Sequence, residues 1–196
     1  SVEDLEYHQG NFQVKGTSIG IGIFDLCSQQ SGNSISIKRK KELTGRSWPN
    51  GCHVAEVEID AETGEVRLDR YVSVDDVGNT VNPMIVHGQV QGGIASVLGQ
   101  AVLERTEYDA SGQLLSGSYM DYALPRADDM PSLSGSLFEK APCLTNPLGA
   151  KGTGEIGAVA GPPAIVHAVI DALAEKGITQ VDMPLQPQKI WECLNR

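Results

Sequence analysis

A chain of 196 residues can bury a sizeable core, as one domain or as two small ones. Its 15 Lys and Arg residues against 25 Asp and Glu give a formal net charge of −10, which argues against nucleic acid or an anionic membrane as the main partner, since both need a basic patch. With 22 glycines and only 5% aromatic residues, the composition points to many tight turns around an aliphatic interior.

Residues 1–11 are polar and read as peripheral, and Ser1-Val2-Glu3-Asp4 suits a fragment or a processed chain. Phe12 to Lys15 alternates like a short strand that Gly16 ends. Ser18 to Leu26 is mostly apolar and fits a strand or a short helix; Gly20 and Gly22 tilt it toward strand. Residues 28–50 read as a mobile loop or arm that contains the solvated basic run Lys38-Arg39-Lys40-Lys41 and a turn at Trp48-Pro49-Asn50-Gly51.

His53 to Asp60 then alternates, with Ala55, Val57 and Ile59 on one face. Val66, Leu68, Val72 and Val74 do likewise after a loop ending in Gly64, so this is a β-hairpin with one buried and one wet face. Asp75 to Asn79 is rich in turn residues. Asn82 and Pro83 are an N-cap and first helical residue, and the helix they open reaches about Arg105. Gly88, Gly92, Gly93 and Gly99 interrupt it at about 1 kcal/mol each relative to alanine, which calls for close approach to a ligand or to other packed backbone. His87 on this helix reads as a satisfied structural histidine.

Ser132 to Phe138 reads as another strand. A glycine-rich loop follows, from Asn146 to Gly157, with glycines at 149, 152, 154, 157 and 161 and one acid, Glu155. Pro162 and Pro163 suit the first turn of the next helix, which Gly177 ends. The amides and dipole of such an N-terminus favour anions. On that helix His167 and Asp171 lie one turn apart and read as a surface hydrogen bond. Ile178 to Val181 fits a short strand, and Pro187 to Leu194 a terminal helical turn with Trp191. The fold class is α+β: mixed sheet with a long β-hairpin, and two main glycine-containing helices packed on it.

Gly152-Thr153-Gly154-Glu155-Ile156-Gly157 matches the dinucleotide pattern G-x-G-x-x-G in letters, but no strand leads into it and the double proline follows, so a nucleotide-binding module is disfavoured. Cys27, Cys52, Cys143 and Cys193 are scattered, without Cys-x-x-Cys or a His/Cys cluster, which argues against zinc or iron–sulfur ligation within the chain. Buried reduced thiols in a cytoplasmic protein are the economical reading. No basic-then-apolar leader and no apolar run of membrane-spanning length occur.

Four stretches together resemble one family: Gly51 to Asp60, Asn82 to Gln89, Tyr119 to Arg126, and Asn146 to Gly157, with Val181-Asp182-Met183-Pro184 and Trp191 fitting as well. It is the large, molybdenum-cofactor-binding subunit of the xanthine dehydrogenase, aldehyde oxidase and aerobic carbon monoxide dehydrogenase group. The likeness covers nearly the whole chain and corresponds to the C-terminal part of a longer subunit.

The resemblance implies a molybdenum hydroxylase domain over 1–196 that uses molybdopterin or its cytosine dinucleotide form. Glu155 is then the general base beside the molybdenum. Lys151, Gly152, Thr153 and Gly154 of the loop, with Gln89, Ser96 and Val97 of the earlier helix, are the cofactor-binding positions. A carboxylate in a tight, partly dry loop has its pKa raised toward working pH, which suits that base. Implied partners are the remaining part of the molybdenum subunit, iron–sulfur and flavin subunits or domains, and a small-molecule substrate. The isolated chain would be inactive.

The sequence departs from the family at one place. Ser96-Val97 stands where the family usually carries Gln-Gly, the glutamine bonding the pterin and the glycine making room for it. A shorter and a bulkier side chain there favour the alternative, a cofactor-free structural or assembly domain of the same fold.

Overall fold

The computed structural model describes residues 1–40, 42 and 45–195. Lys41, Leu43 and Thr44, part of the expected loop at 28–50, lie outside the described residues. The chain divides into two compact units, Ser1–Glu42 and Leu43–Arg196.

The first unit is a three-stranded antiparallel sheet of β1 (Leu5–His8), β2 (Asn11–Val14) and β3 (Gly20–Gly22), followed by α1 (Ile23–Ser28). Gln9 and Gly10, both at positive φ, make the tight β1–β2 turn. The apolar run at 18–26, expected as one element, is half strand and half helix.

The second unit is built on the expected hairpin, β4 (Asn50–Ile59) and β5 (Val66–Asp76), joined across a loop where Gly64 has φ +75°. Asn50 and Gly51 thus belong to a strand rather than to the expected turn. β6 (Leu133–Leu137) adds to β5 in parallel, so the sheet is mixed, in the order β4-β5-β6. One part of the hairpin differs from the sequence pattern. Leu68 faces the core as expected, but Val72 and Val74 are 37% and 43% exposed while Tyr71, Ser73 and Asp75 point inward. The cause is a β-bulge: Glu56 pairs with Arg70 and Val57 with Leu68, which leaves Asp69 as the extra residue and flips the phase of everything beyond it.

The first main helix, α2 (Pro83–Leu98), starts as expected: the Asn82 side chain accepts a hydrogen bond from the Ile85 amide, and Pro83 is the first helical residue. It runs into a π-helical turn, Gly99–Leu103. The second, α3 (Ile156–Ala172), starts six residues before the expected position and carries Pro162 and Pro163 in its interior. Packing overrides the local cost of the prolines. A Cβ on Gly93 would lie 3.0 Å from Gly157 Cα, so the two helices touch backbone to backbone in the first turn of α3. Ile165, Val169 and Leu173 are fully buried further along, at roughly 1.5–3 kcal/mol each. α3 lies on β4 and α2 packs against α3.

Ile178 to Val181, expected as a strand, pairs with nothing among the described residues; it is held by burial of Val181. The terminal helix α4 (Pro187–Leu194) is present and buries Ile190 and Cys193. Of the four cysteines, all unpaired, only Cys193 is buried, and Cys52 is exposed. No described helix is long and apolar enough to cross a membrane.

Val97 is seated against α3. A Cβ on Gly161 would collide with Val97 Cγ2. Gly161→Ala is therefore expected to cost about 1–3 kcal/mol by overpacking. Val97→Ala in the same chain should return most of that loss, which thermal melts of the two single variants and the double variant would measure.

Candidate functional site

The glycine loop has a pinned base and a free tip. At the base, Gly149 (φ +67°) accepts from the Asn79 amide at 2.9 Å, and Asn79 Nδ2 donates to Leu148 O at 2.9 Å. Gly78 and Ala150 form an antiparallel bridge, and the Lys151 amide donates to Val77 O at 2.7 Å. Lys151 Nζ then donates to Asp76 Oδ2 at 2.6 Å, with the two side chains only 10% and 11% exposed. Burial pushes the Asp76 carboxyl up. Hydrogen bonds from Lys151, Gly78 and Asn50, with the Lys151 charge, outweigh it and hold Asp76 below the usual carboxylate value.

Beyond Lys151 the pattern stops. The amides of Gly152, Thr153, Gly154 and Glu155 donate to no acceptor among the described residues. Thr153 Oγ1 is buried and has no hydrogen-bond partner among the described residues. A Cβ on Gly152 would meet only open space. Neither Gly152 nor Gly154 has positive φ, so these glycines are not required by backbone conformation; they keep the space above the chain clear. The 17-residue α3 begins directly after Glu155, which brings its positive dipole end to the loop tip; its first amide, of Ile156, donates back to Thr153 O at 3.4 Å.

This tip forms one wall of a cleft of about 570 Å³. Ile156, Val159 and Ala160 of α3 continue that wall; Trp48, Pro49, Asn50, Gly51 and His53 form the other. Glu155 is exposed, and its side chain makes no hydrogen bond or ion pair among the described residues. The expected partly dry setting is therefore not supplied by this chain: Glu155 lines the cleft but stays exposed.

Not every expected site residue converges here. Gln89 lies on the exposed face of α2, its Oε1 3.9 Å from where a Cβ on Gly154 would sit. Ser96 is exposed on α2 and its hydroxyl donates to Gly92 O at 3.0 Å. Gly88 and Gly92 likewise have open space beside them. Val97 faces the other way, into α3, and lines no part of the cleft; its bulk is taken up by Gly161. Lys151 is engaged by Asp76 and anchors the loop. The His87 side chain makes no hydrogen bond among the described residues, contrary to expectation, and none joins the exposed side chains of His167 and Asp171.

Sequence reasoning assigned no role to a second network. His53 Nε2 lies 2.9 Å from Asp75 Oδ1 and His53 Nδ1 lies 2.8 Å from Tyr71 Oη, with the His53 and Asp75 side chains each 1% exposed. Burial, then the Asp75 charge, push the Tyr71 phenol well above its ordinary value. A phenol that keeps its proton donates to Nδ1, leaving Nε2–H to donate to Asp75. The available signal was phase: His53 sits in step with Ala55, Val57 and Ile59, an inward position where a polar residue requires partners.

Comparison with known proteins gives the family. Residues 1–131 match the family model described as the molybdopterin cofactor-binding domain. The chain is 32% identical over 200 residues to the 6-hydroxypseudooxynicotine dehydrogenase complex subunit gamma of Paenarthrobacter nicotinovorans, covering 96% of this chain and 25% of that one. It is 36% identical over 148 residues to the carbon monoxide dehydrogenase large chain of Hydrogenophaga pseudoflava, covering 76% of this chain and 18% of that one. The fold superimposes on the crystal structure of quinoline 2-oxidoreductase from Pseudomonas putida 86 with a TM-score of 0.89 and 33% identity, covering all of this chain and 26% of the other. The chain thus spans about a quarter of the length of these relatives or less, and it belongs to the molybdopterin cofactor-binding family of large oxidoreductase subunits.

Proposed function

We propose that this chain forms part of the molybdenum-cofactor site of a hydroxylase, with Glu155 as the general base. The observation that carries the reading is the loop tip: four consecutive amides and a buried Thr153 hydroxyl, none of them with a partner among the described residues, at the start of a long helix. Such an arrangement suits a large anion with several oxygen acceptors. The residues present fit the molybdopterin group in this respect. Gly152, Thr153 and Gly154 would hold it, and Gln89 and Ser96 would border it from the open face of α2.

When bound, the cofactor, as molybdopterin or its cytosine dinucleotide, supplies two-electron redox chemistry for inserting water-derived oxygen into an electron-poor carbon, with electrons passed to iron–sulfur and flavin partners. This chain's own part is positional and acid–base. The loop amides orient the anion, Lys151 fixes the loop, and a Glu155 carboxylate oxygen accepts the proton released as the new bond forms. Water exclusion around Glu155 falls to the remaining part of the subunit. The unpaired thiols fit a reducing cytoplasm.

A cofactor-free assembly domain is the second reading, and Ser96-Val97 is what favours it. With Val97 turned into the helix interface, only the shortened Ser96 still speaks for it. Elemental analysis and pterin fluorescence on the chain purified with its native partners separate the two. Stoichiometric molybdenum supports the enzyme; an intact complex without metal or pterin supports the assembly domain.

A further inference from the structure

Asp75 and Asp76 are consecutive, both are buried, and they sit at the end of β5 where successive side chains leave opposite faces of the strand. Asp75 binds His53, whose ring is held from its other nitrogen by Tyr71. Its carboxylate also lies against β4 itself: a Cβ on Gly51 would come within 2.6 Å of Asp75 Oδ1. Gly51 and His53 belong to one wall of the cleft. Asp76 turns the other way, to Lys151 Nζ and to the Gly78 amide at 2.9 Å, and so holds the base of the loop whose tip is the opposite wall; its one tie to β4 is to Asn50, the first residue of that strand.

We infer that this acid pair is a two-sided clamp that sets the spacing of the cleft, Asp75 positioning the β4 wall through His53 and Asp76 positioning the loop wall through Lys151. Both are positioning residues, since neither reaches the loop tip. Their catalytic consequence rests on the proposed cofactor site; their mechanical role does not. The clamp accounts for the burial of two adjacent carboxylates at one strand end, where a stable core alone would take apolar residues at less desolvation cost.

The test compares Asp75→Asn, Asp76→Asn and the double variant Asp76→Leu/Lys151→Met by hydrogen exchange and, in the assembled complex, by steady-state kinetics and the Mo(V) paramagnetic resonance spectrum. Asp76→Asn should speed exchange of the Asn79 and Lys151 amides, now bonded to Gly149 and Val77, by about tenfold or more, and leave Gly51 to His53 unchanged. Asp75→Asn should do the reverse. The apolar double variant should melt near wild type, because a buried ion pair can be replaced by apolar groups without loss. Its loop should still exchange fast, and its kcat and Mo(V) spectrum should still be altered.

Recovery of loop protection, kcat and spectrum along with the melting temperature would overturn the clamp and leave the acids as stabilising groups only. So would equal responses of both walls to either single variant. If Asp76→Asn fails to fold, the double variant still decides its arm; if Asp75→Asn fails, Tyr71→Phe, which frees the other nitrogen of the His53 ring, is read by the same exchange of Gly51 to His53. A wild-type complex without molybdenum would sink the cofactor reading, while exchange would still judge the clamp.

Discussion

Glu155→Gln in the assembled complex should lower turnover by roughly 10²–10⁴-fold, the range expected for loss of a general base. Molybdenum content should stay at the wild-type level. The side chain is exposed and has no hydrogen-bond or ion-pair partner among the described residues, so an isosteric amide removes nothing that holds the fold. Stability should therefore stay within about 0.5 kcal/mol of wild type. Near-normal turnover would remove Glu155 from the chemistry. Lost molybdenum would instead make it part of cofactor retention.

The second large effect is on stability. Lys151→Met leaves the Asp76 carboxylate buried without its ammonium partner and should cost about 3–5 kcal/mol. The sign of the pH dependence follows from the direction of the Asp76 shift. Its folded pKa is depressed, so the pair's contribution is complete above the unfolded value of about 3.9 and is lost as pH falls through the lower folded value. The gap between wild type and variant in urea melts should narrow as pH falls and the Asp76 carboxylate becomes protonated in both. A gap that persists unchanged in acid would mean that something other than the ion pair is lost.

Locally encoded elements were legible in the sequence. Alternation from His53 to Ile59, and the Asn82-Pro83 start of α2, depend on neighbours a few residues away. What failed depended on distant contacts. One extra residue, Asp69, flips the inward face of β5, and a bulge leaves no mark on alternation until the partner strand is known. The prolines at 162 and 163 read as a helix start, yet α3 begins at Ile156 because Gly93 and Gly157 let two helices meet closely enough to offset the lost hydrogen bonds. The parallel pairing of β6 is equally invisible locally.

The site divides the same way. The glycine loop and Glu155 stood out as a run of unusual composition. His53, Asp75 and Asp76 looked like ordinary strand and turn residues until the sheet placed them. Val97 looked like an obstacle at the cofactor wall, because a helix position read without its partner helix does not say which way it faces.

The central claim, that the free loop tip holds the anionic part of a molybdenum cofactor shared with the rest of the subunit, is tested most directly by a map of the assembled complex. The account predicts cofactor density within hydrogen-bond distance of the amides of Gly152 to Glu155 and of Thr153 Oγ1, with the Glu155 carboxylate beside the metal. A tip capped by polypeptide from the rest of the subunit, with Glu155 facing protein or solvent, would contradict it.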